Sequence, residues 1–177
     1  MTTTIDGSAS VTINNGAILG ITSGTAVAST SGTSIDFTSI PSWVRRITVM
    51  FNGVSTNGTS AVIIQLGDSG GIETTGYTGT GTIVGNGSGT STAMSSGFFI
   101  APSSAAVNVL SGQAVISLLD SATNTWAYSG VFGQSTATAY ISWAGGVKAT
   151  SAALDRIRIT SVTPDTFDAG SINILYE

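Results

Sequence analysis

The segment DRIRITSVTPDTFDAGSINILYE (residues 155–177) carries two alternating runs. Ile157 and Ile159 alternate with Arg156 and Arg158; after a Pro/Asp turn, Ile172, Ile174 and Tyr176 share one parity. A period of two marks a strand with one face covered. If those last three residues face a core, the final strand lies inside a sheet and is not an appendage. The fold then closes only when this strand arrives.

Upstream the same grammar repeats. RRITVMFN (45–52) puts Ile47, Val49 and Phe51 on one side. Asn57-Gly58 suits a tight turn, and AVIIQL (61–66) is apolar on both faces. The pattern predicts a hairpin with the second strand the more buried. A second hairpin is predicted over 113–132, turning at SATN (121–124). ATAYISWAGG (137–146) gives another strand, ended by Gly145-Gly146, and GFFIAP (97–102) one more. About eight strands are expected after residue 34. Helical periodicity is confined to SSAAVNVL (103–110). Turn signals at this spacing predict an all-β, antiparallel, jelly-roll-like β-sandwich over residues 34–177. Residues 1–33, Thr/Ser-rich and weakly alternating, are expected to be an N-terminal arm or edge strands that serve attachment.

One long interruption breaks the pattern: SGGIETTGYTGTGTIVGNGSGTST (69–92). Ordering it costs roughly 1–2 kcal/mol per residue. Its few apolar side chains return roughly 1.5–3 kcal/mol each when buried. It is therefore expected to be mobile in a free chain or clamped by a neighbour.

Composition narrows the function. Charged residues make up 8% of the 177 residues, against about 25% in an average globular protein. Ser, Thr and Gly replace them, giving an exterior suited to lying against another protein. With five basic residues and a net charge of −4, a phosphate-binding groove or a polybasic membrane anchor is not expected. The chain has no Cys and no His, which excludes disulfides, His/Cys zinc sites and His-dependent nucleophilic triads. No apolar run is long enough to span a bilayer. MTTTIDGSAS (1–10) lacks the pattern of a secretory leader, so synthesis in the cytoplasm is expected.

Candidate chemistry is thin. The carboxylates Asp68, Glu73, Asp120, Asp155, Asp165, Asp168 and Glu177 are scattered, and no spacing selects a hydrolytic pair. DSATN (120–124) and PDTFD (164–168) offer oxygens, but turn capping explains them better than calcium. GTGTIVGNGSG (79–89) lacks the Lys-Ser/Thr ending of a phosphate loop. No cofactor or metal is expected. Aromatic side chains supply the one ligand candidate: Trp126, Tyr128, Tyr140 and Trp143 could form a glycan-stacking platform, or simply fill the core or a subunit interface. Arg45, Arg46, Arg156 and Arg158 are expected to pair with carboxylates or neighbouring subunits.

The wording of three blocks carries a resemblance: SGTSIDFTSIPSWVRRITVMFNGVSTNGTSAVIIQLGDSGGIETTGYTG (31–79), LLDSATNTWAYSG (118–130) and LDRIRITSVTPDTFDAGSINILYE (154–177). Together they resemble a β-rich module of tail-fibre-like and other virion proteins of tailed bacteriophages. That resemblance implies a non-enzymatic virion component, commonly a homotrimer, bound to other virion proteins and in some cases to a host surface glycan. It implies a place in a tail fibre or host-attachment device, or alternatively a capsid decoration protein. A free carbohydrate-binding module is the expectation of another class.

Overall fold

A computed structural model of the chain describes residues 12–13, 16–17, 20–85, 87–135 and 139–177. Among the described residues, this alternation is realised as sixteen strands and no helix. They are β1 (Thr12–Ile13), β2 (Gly16–Ala17), β3 (Thr22–Ser23), β4 (Val27–Ala28), β5 (Ser34–Phe37), β6 (Arg46–Thr56), β7 (Val62–Asp68) and β8 (Gly71–Ile72). They continue with β9 (Thr78–Gly85), β10 (Ser88–Ala93), β11 (Phe98–Ala101), β12 (Val109–Asp120), β13 (Thr125–Ser135), β14 (Tyr140–Ala149), β15 (Arg156–Ser161) and β16 (Phe167–Tyr176).

Two antiparallel sheets pack face to face as a β-sandwich. The large sheet runs β10-β9-β14-β13-β12-β6-β16-β3, with β4 also on β16; the small one runs β11-β7-β15-β5, with β8 on β7. Among the described residues, β1 and β2 pair only with each other. One apolar core lies between the sheets, with Ile47, Val49, Ile116 and Ile172 from the large sheet and Val62, Ile64, Leu66, Phe98 and Ile159 from the small one. Aromatic rings knit it: Phe98 lies parallel to Tyr128 at 4.5 Å, and Tyr77 meets Phe98 edge-on at 5.0 Å.

β16 lies within the large sheet as its alternation predicts, with Ile172 and Ile174 buried. β6 flanks it on one side; β3 and β4 flank it on the other. Part of the expected arm is thus an edge of the sandwich. Ser29 donates its hydroxyl to the Ala169 carbonyl (2.7 Å), and the Gly24 N–H donates to the Ile174 carbonyl (2.8 Å). Residues 1–11, 14, 15, 18 and 19 of that arm lie outside the described residues.

Several local expectations are corrected. The hairpin predicted across 45–66 does not form, because β6 and β7 belong to opposite sheets. The chain crosses over at 57–61, and tertiary partners hold the crossing: the Asn57 N–H donates to the Thr166 carbonyl, the Thr166 N–H to Asn57 Oδ1, and the Ser60 N–H to Asp165 Oδ2, each at 2.9 Å. Gly58 is there because the Asp165 carboxyl presses on it; a Cβ would lie 2.2 Å away. The helical candidate at 103–110 is a turn leading into β12. Gly145-Gly146 do not end β14; they let β9 approach it, since a Cβ on Gly146 would sit 2.7 Å from the Thr78 carbonyl oxygen. The 113–132 hairpin forms and extends over 109–135, with Asn124 in the left-handed region at its turn.

The insertion at 69–92 is the largest correction. It supplies β8, β9 and β10, and β9 pairs along β14 from Thr78 to Val84. Side-chain burial did not foretell this, because main-chain pairing to an existing strand holds the segment.

Candidate functional site

The four candidate aromatics do not form one platform. Trp126 and Tyr128 have the inward parity of β13 and are 3% and 4% exposed. The Tyr128 hydroxyl donates to the Phe99 carbonyl oxygen at 2.7 Å, and burial pushes its phenol above the ordinary tyrosine range. These two rings fill the core, so their assignment to a glycan surface is corrected. Tyr140 is half-buried against Gly85. Trp143 has the opposite parity on β14 and leaves 46% of its surface exposed. It is the most exposed of the four.

Carboxylates and cations are largely paired with each other. Arg158 meets Asp36 through two hydrogen bonds of 2.7 Å, and Arg156 meets Asp155 at 2.6 and 3.0 Å. Those two guanidiniums line a depression of about 360 Å³, but their partners neutralise it, which removes the case for an anion site. Arg46 pairs with Glu177 and Lys148 with Glu73. Arg45 donates to the Ser42 and Val44 carbonyls. Asp120 accepts from the Ala122 N–H and the Thr123 hydroxyl, as a turn residue does. Asp165 and Asp168 hold Ser60 and Ser55. Among the described residues no three Asp, Glu, His or Cys side chains gather as metal ligands.

One cluster was not visible in the sequence. Asp68 accepts from the Ser151 hydroxyl (2.6 Å) and from the N–H groups of Ala152 (2.7 Å) and Gly70 (2.8 Å). The Ser151 bond, with Gly70 behind it, holds its carboxyl below the usual range. Glu73 accepts from Lys148 and from the Ser151 N–H. Burial pushes Glu73 up, but these bonds outweigh it and the net shift is downward. The Tyr77 hydroxyl donates to the Glu73 carbonyl (3.0 Å) and accepts the Leu66 N–H (2.6 Å). Every acceptor here is occupied by the chain's own donors, so the cluster is a latch between the insertion and residues 148–152 at the end of β14. Only the fold brings Asp68 within reach of a serine 83 residues away.

Among the described residues, the outer face of the large sheet is the feature left without a partner. The register places Thr82, Trp143, Val131, Gln113, Met50 and Asn173 in one row across six strands. The adjoining row is Thr80, Gly145, Ser129, Val115, Thr48 and Leu175. Neither row holds a charge. Four of the large apolar side chains left exposed among the described residues, Val131, Ile141, Trp143 and Val147, sit together on β13 and β14. Beside Trp143, the small residues Ser129 and Gly145 open a shallow groove of about 440 Å³. A second groove of about 330 Å³, reaching Ile21 and Leu175, shares Gln113 and Val115 with it. The signal for this face was present in sequence as the odd-numbered apolar residues of 131–147, but parity alone does not say which side of a strand is covered.

Compared with protein-family models, with characterised proteins and with solved structures, the chain matches none.

Proposed function

We propose that this chain is a non-enzymatic structural component of a bacteriophage virion, in the tail-fibre or host-attachment apparatus, that works by packing against copies of itself. The observation that carries this reading is the uncharged, partly apolar outer face of the large sheet. An apolar patch rimmed by hydroxyls favours association over isolation, and low charge removes the ionic desolvation that would oppose it. The virion setting and a trimeric stoichiometry rest on the resemblance of residues 31–79, 118–130 and 154–177 to phage virion modules. Residues 1–33 are the proposed attachment segment to other virion proteins.

The test is location and mass. An antibody to the domain should mark tail tips on intact particles, and the purified chain should sediment as an oligomer. Labelling of the head lattice instead would support capsid decoration. Absence from the particle would end the virion reading.

The exposed ring of Trp143 favours one reading of another class, a carbohydrate-binding module that stacks a sugar in the adjoining groove. Trp143→Ala should then abolish glycan binding without changing the melting temperature.

A further inference from the structure

We infer that the outer face of the large sheet, centred on Trp143 and Val131, is buried against the same face of a sister chain. This rests on the self-association proposed above and names the surface that performs it.

Size comes first. The face spans six strands, β9, β14, β13, β12, β6 and β16, at about 4.8 Å each, and about seven residues at about 3.3 Å each. That is roughly 670 Å² per copy and about 1,300 Å² for two, within the range of specific interfaces, about 1,200–2,000 Å². A single sugar ring covers far less, and would leave Val131, Ile141 and Val147 in water.

Charge decides which protein partner fits. The two central rows carry none, and the Arg46–Glu177 pair at one corner is internally balanced. A strongly acidic or basic partner finds nothing complementary. A copy of the same face meets no like-charge repulsion.

Shape agrees. A self-contact requires a surface that supplies both a protrusion and its receptacle. Trp143 stands as a ridge beside the groove floored by Ser129 and Gly145, and the second groove lies two strands further on. The indole of one copy can enter a groove of another, about either a two-fold or a three-fold axis.

The experiment is sedimentation equilibrium on the full chain, with thermal melts as the check on folding. Trp143→Lys and Val131→Lys should each raise the dissociation constant at least about 30-fold, the loss expected at an interface hot spot. Trp143→Phe should retain most of the affinity. Val107→Lys and Val162→Lys, which charge exposed apolar positions elsewhere, should leave the mass unchanged. An oligomer indifferent to both lysines on the face overturns this surface while self-association stands. A wild-type chain that stays monomeric at every concentration overturns both. Should Trp143→Lys fail to fold, Val131→Lys alone decides.

Discussion

Gly170 in β16 has a φ of +90°, and Gly53 in β6 a φ of +65°. They meet where the pairing of the two strands shifts register. A Cβ on Gly170 would lie 2.4 Å from the Gly53 carbonyl oxygen. Glycine is required there on both counts: the left-handed region strains any other residue, and the backbones nearly touch. Gly170→Ala should destabilise the domain by about 1–3 kcal/mol from the strained backbone, with the clash added, seen as a lower urea midpoint. Tyr128 is the other residue whose role is sharp. Its ring packs on Phe98 and its hydroxyl satisfies the Phe99 carbonyl. Tyr128→Phe keeps the ring and leaves that buried acceptor without its donor, so a loss of about 1–2 kcal/mol is expected in chemical denaturation. An unchanged midpoint would show that the bond contributes nothing net.

Among elements, the insertion carrying β8 to β10 depends on β14 and on the latch around Asp68 and Glu73. Both carboxyls titrate below their ordinary values in the folded chain. The unfolded chain therefore binds protons more readily, and the stabilisation is present above the unfolded values, about 3.9 for Asp and 4.3 for Glu. It is lost as pH falls through the lower folded values. The urea midpoint should stay level from neutral pH to about pH 5 and drop below about pH 4. Asp120 and Asp155 are shifted the same way, so the whole slope is not the latch's. The difference between wild type and Asp68→Asn isolates the Asp68 share, and identical acid limbs for the two would remove Asp68 from the account. Removing Lys148 is the harsher change: Lys148→Met should loosen the insertion by leaving Glu73 half-buried and unpaired, measured as faster amide exchange in β8 and β9.

At the scale of the whole molecule, closure depends on β16. It pairs with β6 on one side and with β3 and β4 on the other, and the N–H groups of Arg45 and Arg46 both donate to the Glu177 carbonyl. Deleting residues 171–177 exposes the β6 edge and removes Ile172 and Ile174 from the core, so no cooperative melt should survive; a soluble truncation that melts cooperatively would refute this. Alternation at 45–52, 113–132, 156–160 and 172–176 was enough to determine the fold class, because a period of two places alternate side chains on opposite faces whatever the strand pairs with. Composition, with only 8% of residues charged, determined that the exterior would be poor in charge. Alternation does not say which strands are neighbours. Hence the 45–66 hairpin is expected where the chain crosses between sheets, and 69–92 is expected to be mobile or clamped by a neighbour where main-chain bonds to β14 order it. Nor does it distinguish the two sides of a sheet: Trp126 and Trp143 look alike in sequence, yet one is in the core and the other on the open face. Only the tertiary structure decided that, because burial belongs to the packing of two sheets and not to either strand alone.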